Sequence, residues 1–292
     1  MILLLLAGLW LDEALARTAT PDWIRAIGYP RETLPPGLVL FVVMAGLCVL
    51  ASRELARILN DKAIDASRRI TTVAAIFGLA VSCLIPRTWD AATGGLIVSS
   101  AAVVVLVIAL RFYSRHRNTE GVIAAAGGAV LAFVYLGLMF GFVLAIRREH
   151  SAWMLAWMLL VVKSCDIGAY FTGRAIGRHK LILWLSPGKT WEGLWGGVVL
   201  ASVVGAVCLP FVAERESDRL FGSLVIAGAL SGLLFGLLGQ VGDLLMSLLK
   251  RDAGIKDSGR SIPGFGGVLD VLDSPLLVAP VAYWWLRLLL VP

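Results

Sequence analysis

The sequence predicts an all-α fold, a polytopic transmembrane helical bundle with about eight or nine spans. The chain is 59% hydrophobic and only 16% charged, below the roughly 25% charged content of an ordinary soluble domain. Its mean hydropathy is +0.85. Apolar stretches near the ~20-residue length of a membrane-spanning helix recur from end to end. These observations together indicate a membrane protein.

Eight apolar stretches follow one another along the chain. They are residues 36–56, 70–86, 91–110, 121–146, 152–172, 191–213, 221–245 and 268–290. Residues 1–16 form a ninth candidate, which we interpret as a short first helix. The alternative is a cleaved signal peptide, but no basic residue precedes the apolar run. We treat 1–292 as a single integral-membrane domain, with N-terminal spans in 1–150 and C-terminal spans in 151–292, where a candidate site is expected from the polar segments described below.

The positions of Lys and Arg predict the orientation, because these residues concentrate in short cytoplasmic loops. If the span at 36–56 ends in the cytoplasm, sixteen cations fall in loops on that side and nine on the other. We therefore expect a cytoplasmic N-terminus and a C-terminus on the far side. The polar loops 173–190 and 246–267 then emerge on one cytoplasmic face and can share a site.

The segment Gly242–Ser274 reads GDLLMSLLKRDAGIKDSGRSIPGFGGVLDVLDS and holds five carboxylates and four cations between two apolar stretches. Charges at a span boundary are costly unless they meet water, a metal or a charged ligand. Asp243, Ser247 and Lys250 share one helix face by their spacing. A solvated helix end with a snorkelling Lys is the alternative interpretation of that face.

The rest of this segment suits phosphate chemistry. Its glycine-rich backbone can present N–H groups to phosphate oxygens, and carboxylates at two helix ends can hold Mg²⁺. Asp270 and Asp273, three residues apart, project to one side near the start of the last span. Either could instead serve only as a negative charge at a helix N-terminus.

A second polar block runs from Asp166 to Gly193. Asp166, Tyr170 and Arg174 recur at four-residue steps along the end of a span, which Gly173 and Gly177 are expected to break. The Ser186–Thr190 run is not a P-loop, because Leu183 stands where that motif needs glycine.

The spacing predicts a helix start after a turn at Pro187-Gly188. Lys189 and Thr190 are expected to open this helix, with Glu192 in its first turn. Such a helix start offers backbone N–H groups and an ammonium to an anion.

The two blocks together resemble the phosphatidate cytidylyltransferase family, also called CDP-diacylglycerol synthases. The family's C-terminal signature looks like S-x-x-K-R-x4-K-D-S-G-x-x-[IL]-P-G-H-G-G-x-[LM]-D-R-x-D. Its positions here are Ser247, Lys250, Arg251, Lys256, Asp257, Ser258, Gly259, Pro263, Gly264, Gly266, Gly267, Asp270 and Asp273. The upstream elements D-x-x-A-Y-x-x-G-R-x-x-G and S-P-x-K-T-x-E-G match Asp166–Gly177 and Ser186–Gly193. The resemblance is strong over 160–285.

The resemblance implies transfer of the cytidylyl group of CTP to phosphatidate, which gives CDP-diacylglycerol and pyrophosphate for phospholipid synthesis. The alternatives are a CTP-dependent polyprenol or lipid kinase and a degenerate lipid- or CTP-binding relative. A transporter is disfavoured, since its charges would be spread over several spans. The implied partners are CTP, phosphatidate and membrane lipids, with no nucleic acid and with a homodimer left open. The expected location is the bacterial inner membrane, with the active site facing the cytoplasm.

The resemblance also implies residue roles. Mg²⁺ is the expected cofactor, with a second cation as an addition. Asp243 and Asp270 are the first choice of metal ligands, followed by Asp257 and Asp273. Lys250, Arg251, Lys256 and Asp257 are the expected catalytic residues, the three cations as phosphate clamps. The expected substrate-binding residues are Asp166, Tyr170, Arg174, Ser186, Lys189, Thr190, Glu192, Ser247, Ser258 and Arg260.

The chain departs from the family pattern at two positions. Phe265 replaces the usual His between glycines, and Val271 replaces the usual Arg between the aspartates. Phe cannot take a proton and Val cannot neutralise a phosphate. We hypothesise that Arg260 supplies the missing positive charge.

Two further charged residues lie within or near spans. Lys163 is interpreted as the ion-pair partner of Asp166, and the alternative is a polar cavity that reaches the headgroup site. Glu54 is interpreted as a helix-end partner for Arg53, Arg57 or Lys62, and the alternative is that it reaches the site.

Overall fold

The computed structural model describes residues 2–21, 32–85, 90–116, 119–213, 220–259, 261–262, 264 and 266–290. In these residues the chain forms nine long helices, a one-turn 3-10 helix at Ser114–His116 and one short hairpin. The helices are α1 (Ile2–Ala16), α2 (Leu38–Asp61), α3 (Arg68–Leu84), α4 (Ala91–Tyr113), α5 (Val122–Glu149), α6 (Ala152–Ile176), α7 (Trp191–Ala213), α8 (Phe221–Asp252) and α9 (Val268–Leu290).

Six of the helices in the described part of the chain are long and apolar enough to cross a membrane: α2, α4, α5, α6, α7 and α8. The all-α polytopic membrane fold is confirmed, and the protein is an integral membrane protein. The larger total of eight or nine spans stays a prediction. Helix α1 has 15 residues and α3 has 17, which is short of the ~20 residues that cross the hydrocarbon core.

Glycines allow the C-terminal helices to pack closely. On α8, Gly228 and Gly232 lie against the backbone of α7, and a Cβ at either position would meet backbone atoms of Gly205 or Ala201. Small residues permit this approach in a membrane, where packing drives helix association. Gly242 lies similarly against the backbone of Asp273 and Ser274 on α9. The glycine face of α8 therefore brings the two polar segments together.

Helix α5 contains a π-helical segment, Ala132–Leu138, between α-helical parts Val122–Leu131 and Met139–Glu149. It packs on α3, where the backbones of Gly78 and Gly137 are in close contact. In a π-helical turn the backbone holds about one more residue than in an α-helical turn, so the side chains that follow point in different directions from those of a regular α-helix. Tyr135, at the centre of this segment, is 8% exposed.

The segment between α6 and α7 corrects one prediction. It is an antiparallel hairpin of β1 (Lys180–Ile182) and β2 (Ser186–Thr190), with Lys180 opposite Thr190 and Ile182 opposite Ser186. Lys189 and Thr190 thus belong to a strand, and α7 begins at Trp191. Glu192 lies in the first turn of α7, as predicted. Gly177 ends α6, whereas Gly173 lies inside it.

Contacts between loops group the helix ends on two faces. Lys62 Nζ lies 2.9 Å from Asp252 Oδ1, so the end of α2 and the end of α8 share one face, to which Lys189 is joined through Asp243. On the opposite face, Asp12 at the end of α1 pairs with Arg147 at the end of α5, at 2.6 Å. The loops that were predicted to be cytoplasmic therefore lie together on one face of the bundle.

Candidate active site

A cleft cluster of charged and polar side chains joins α6, β2 and α8. Its members are Lys163, Asp166, Lys189, Gln240 and Asp243. Lys189 Nζ contacts Asp243 Oδ2 at 2.7 Å and Gln240 Oε1 at 2.9 Å. Gln240 Nε2 donates to Asp166 Oδ1 at 3.3 Å, and Lys163 Nζ pairs with Asp166 Oδ2 at 3.0 Å. The two motif blocks therefore meet side chain to side chain.

The cleft cluster extends along two helices at helical spacing. On α6, Lys163, Asp166, Tyr170 and Arg174 follow one another at three- and four-residue steps, and all four are at least partly exposed. Residues eleven apart on a helix are separated by about 16 Å. A polar track therefore leads from the middle of α6 to its hairpin end. The predicted Lys163–Asp166 pair is present at the inner end of this track.

Asp273 is the buried carboxylate beside the cleft cluster. It is 4% exposed and interacts electrostatically with Asp243, Lys163 and Asp166. Its Oδ1 accepts the backbone N–H of Ser274 at 2.6 Å, and it forms no ion pair with any described residue. A buried carboxylate with no cation at ion-pair distance is costly. Asp273 is therefore a candidate to bind a proton or a cation.

Two hydroxyl groups near Asp273 also lack partners among the described residues. Tyr135 Oη on α5 and Ser274 Oγ on α9 are buried and unbonded. The carboxylates that interact electrostatically with Tyr135 are Asp273 and Asp243. Buried polar groups are nearly always hydrogen-bonded in native proteins, so this corner of the cleft has unused polar capacity.

A second group, the loop anchor, consists of Glu54, Lys250, Ser258 and Asp270. Lys250 Nζ pairs with Asp270 Oδ1 at 2.7 Å, and both side chains are largely buried. Asp270 Oδ2 accepts from Ser258 N, Ser258 Oγ and Gly267 N, each at 2.9 Å. One oxygen of Asp270 is thus occupied by Lys250 at the end of α8, and the other by the loop that precedes α9.

Glu54 binds the start of α9 from α2. Its carboxylate accepts from Val268 N and Leu269 N, each at 3.0 Å, and it shares the single hydroxyl hydrogen of Ser258, whose Oγ is 3.1 Å away, with Asp270. A negative charge suits the first N–H groups of a helix. Gly259 and Gly267 lie so close that a Cβ at either would meet the Glu54 carboxylate. The favoured interpretation of Glu54 as a partner of Arg53, Arg57 or Lys62 is wrong, and the alternative describes it better.

Other predicted site residues have structural contacts. Thr190 Oγ1 accepts from Gly193 N at 3.1 Å and caps α7. Glu192 accepts the N–H of Arg178 and of His179 and contacts His179 Nδ1 at 2.6 Å, so it ties the base of the hairpin. Arg174 donates to the Tyr170 hydroxyl at 3.0 Å.

The remaining predicted residues lie around the two groups. Ser247 Oγ is 3.5 Å from Asp243 Oδ1, and Ser186 is half-buried in β2. Arg251, Lys256 and Asp257 are exposed, and Val271 is half-buried on α9. Arg260 and Phe265 lie outside the described residues.

Gln240 was not identified from the sequence. It stands three residues before Asp243, on the helix face that Asp243, Ser247 and Lys250 share, so an extension of that face toward the membrane interior would have found it. Its amide bonds to Asp166 and Lys189, at opposite ends of the upstream block.

The cleft offers a cation two carboxylates rather than a complete cage. No group of three or more His, Cys, Asp or Glu side chains in the described part of the chain is arranged to hold a metal. Asp243 and Asp273 are the carboxylates with capacity to spare. The formal charges of Lys163, Lys189, Asp166, Asp243 and Asp273 sum to −1. Mg²⁺ is often held by one or two carboxylates plus substrate phosphates, so this donor set fits Mg²⁺.

Comparison with known proteins identifies the family. The family model described as "Cytidylyltransferase family" matches residues 31–289. The chain is 37% identical over 164 residues to a phosphatidate cytidylyltransferase of Bacillus subtilis, which covers 56% of this chain and 58% of that protein. It is 34% identical over 217 residues to one of Mycobacterium bovis, with 70% and 67% covered.

A third relative, from Escherichia coli, is named uncharacterized protein YnbB. The identity is 36% over 153 residues, covering 48% of this chain and 49% of that protein. The matched stretch thus spans about half of the YnbB protein and somewhat more of the B. subtilis enzyme. Because the family model extends over nearly the whole sequence, the chain belongs to the cytidylyltransferase family.

Proposed function

We propose that this protein transfers the cytidylyl group of CTP to phosphatidate, giving CDP-diacylglycerol and pyrophosphate. The observation that carries the proposal is the direct contact of Lys189 with Asp243 and Gln240. It joins the two family motifs in one polar cleft. The curated relatives from B. subtilis and M. bovis are named for this activity.

Cytidylyl transfer requires neutralisation of phosphate charge more than it requires a strong base. A phosphate oxygen of phosphatidate attacks the α-phosphorus of CTP, and the bond from that phosphorus to the bridging oxygen of pyrophosphate breaks. The nucleophile is already anionic near neutral pH. The protein has to hold two anions in line and offset their charges.

The cations of the site would divide this task. The side chain of Lys189 reaches from the hairpin to α8 and is 18% exposed. Its ammonium can turn from Asp243 to a phosphate. Lys163 lies on the polar track of α6, nearer the middle of that helix. Arg251 and Lys256 are exposed at the loop and would meet the triphosphate. Lys250, by contrast, is engaged with Asp270 and would act by ordering the loop.

Mg²⁺ is the proposed cofactor, held by Asp243 and Asp273, with Tyr135 and Ser274 hydroxyls nearby. When bound, it would neutralise phosphate oxygens of the nucleotide. Asp270 ranks below Asp273 as a ligand because its oxygens already accept four hydrogen bonds. A second cation is retained as an addition to the proposal.

The proposed location is a bacterial inner membrane, with the cleft facing the cytoplasm, where CTP is made. The phosphatidate acyl chains would remain in the bilayer beside α6. A homodimer remains part of the proposal.

One assay tests the function. Membranes that contain the protein are supplied with phosphatidate, Mg²⁺ and CTP labelled in the cytidine or at the γ-phosphate. We expect cytidine label in the lipid and release of pyrophosphate. Label from the γ-phosphate in the lipid would instead identify a kinase, and no label in lipid would indicate a relative without turnover.

Variants make the assay specific to the cleft. Lys189→Met should reduce transfer at least 100-fold, since loss of a charge-stabilising donor typically costs 10²–10³ in rate. Lys62→Met, which removes an exposed cation outside the cleft, is the matched control and should retain activity. Equal activity of the two variants would exclude Lys189 from the site.

A further inference from the structure

The β1–β2 hairpin presents large apolar side chains at its tip. Leu183 is 65% exposed and Trp184 is 75% exposed, whereas Leu185 points inward and is buried. Trp191, at the base, is 48% exposed. Apolar patches of this kind mark contact surfaces. The tip lies outside the membrane-spanning helices, so its exposure needs its own explanation.

The contacts of the hairpin place it at the depth of the membrane boundary. Lys189 on β2 reaches Gln240 and Asp243 on α8. The base of the hairpin packs on the end of α6, where Gly173 and Gly177 lie against Thr190. Gly173 stands twenty-one residues after Ala152, the first residue of α6, which is about 32 Å of helix. The hydrocarbon core of a bilayer is ~30 Å thick. The hairpin is therefore level with the headgroup layer, where Trp is enriched.

Cations flank the apolar tip. Arg178 and Lys180 are exposed on the β1 side, and neither forms an ion pair with a carboxylate in the described part of the chain. His179 between them is held by Glu192. Apolar side chains beside unpaired cations complement a surface of acyl chains and anionic phosphates.

We propose that this hairpin is an interfacial anchor, in which Leu183 and Trp184 insert into the headgroup layer while Arg178 and Lys180 contact phosphates of anionic lipids. The hairpin is tied to the bundle by Glu192 and by Thr190, against which Gly177 packs. The depth of the hairpin in the membrane therefore sets the position of Lys189 as well. This last consequence rests on the proposed function, and the insertion itself does not.

Spin labels measure the depth directly. The full chain, with Cys48, Cys83, Cys165 and Cys208 replaced by Ala, receives a nitroxide through Leu183→Cys in nanodiscs of anionic and zwitterionic phospholipid. Collision with oxygen and with a water-soluble nickel chelate reports its depth. Asp65→Cys, in the exposed α2–α3 loop, is the control for water. Val199→Cys, 61% exposed on α7, is the control for lipid.

The nickel accessibility of the label at position 183 should lie between the values at the two control positions. Nickel accessibility as high as at position 65 would overturn the proposal. So would protection from both reagents accompanied by disulfide cross-linking between two chains at position 183, since a second copy would then cover the tip. The charge component is tested by Arg178→Gln with Lys180→Gln, which should abolish any dependence of the depth on anionic lipid; an unchanged dependence contradicts the role of these cations.

Activity gives a separate result. Trp184→Ala should raise the KM for bilayer phosphatidate and leave kcat unchanged, and an unaltered KM would remove the link to Lys189. If neither the wild type nor any variant transfers cytidine, the proposed function fails. The depth measurement then still tests whether the hairpin inserts into the headgroup layer.

Discussion

Two carboxylates three residues apart on α9 have opposite surroundings. Asp270 accepts four hydrogen bonds, one of them from the Lys250 ammonium. Asp273 is more deeply buried, yet it has one backbone N–H and no cation within ion-pair distance in the described part of the chain. A residue with satisfied oxygens orders structure, and one with unused oxygens is available for a ligand.

The variant Asp273→Asn should separate stability from activity. Removal of an unpaired buried charge relieves its desolvation cost, so the thermal unfolding temperature in detergent should stay equal or rise. Transfer activity and the stabilisation conferred by Mg²⁺ should both be lost. A variant that keeps the Mg²⁺-dependent shift would show that Asp273 holds no metal.

Asp270→Asn should behave in the opposite way. It leaves the buried Lys250 ammonium without its partner, which costs on the order of 3 kcal/mol. We expect a clear drop in unfolding temperature and faster proteolysis of the loop between α8 and α9. An unfolding temperature equal to that of the wild type would contradict the assignment of Asp270 to loop ordering.

Glu54→Gln tests the loop anchor from α2. The amide replaces one acceptor oxygen by a donor that faces the N–H groups of α9 and the serine hydroxyls, at a cost of about 1–3 kcal/mol. Thermal unfolding should show this loss, whereas Asp65→Asn in an exposed loop should not. The idea is wrong if both variants unfold at the same temperature.

At the scale of elements, the close contact between α7 and α8 holds the end of β2, which leads into α7, near α8. Gly232 meets the Ala201 and Ser202 backbone, so that no side chain fits between the helices. Because β2 runs directly into α7, a displacement of α7 also moves Lys189 away from Asp243.

Gly232→Val should therefore reduce both stability and transfer. The control is Gly222→Val in the first turn of the same helix, where nothing lies within 4 Å of an added Cβ. Unfolding temperature and activity measured on both variants decide the matter. Equal behaviour would mean that α7 and α8 can separate without consequence.

At the scale of the whole molecule, the ion pairs at opposite ends of the bundle define two faces. Lys62–Asp252 lies on one face and Asp12–Arg147 on the other. The charge distribution predicts that the first face is cytoplasmic. On that prediction the cleft would face the cytoplasm, as the proposed function requires.

Cysteine labelling in intact cells tests this orientation. In the cysteine-free chain, Ala19→Cys lies in the exposed segment after α1 and Asp65→Cys in the loop after α2. A membrane-impermeant maleimide should label position 19 in intact cells and position 65 only after permeabilisation. The reverse pattern would invert the topology.

The helices were predictable because a span needs a continuous apolar run, a signal that is local in sequence. All nine long helices in the described residues overlap the nine predicted stretches. The hairpin was not predictable in this way, since Lys189 and Thr190 stand beside the turn residues Pro187 and Gly188 and match a helix start as well as a strand. The strands are stabilised by their pairing with each other. Thr190 and Glu192 add to this by accepting backbone N–H groups at the start of α7 and at the base of the hairpin.

The sequence by itself determined the class of fold, the family resemblance and the two motif blocks, because these depend on composition and on short-range spacing. Only the tertiary structure decided which carboxylate of α9 lacks an ion pair among the described residues. Asp270 and Asp273 are equivalent in spacing, but Asp270 faces Lys250, Ser258 and the loop, whereas Asp273 faces the carboxylates of the cleft. Glu54 shows the same limit, since its partners lie more than two hundred residues away. Roles that depend on such distant contacts are decided by packing.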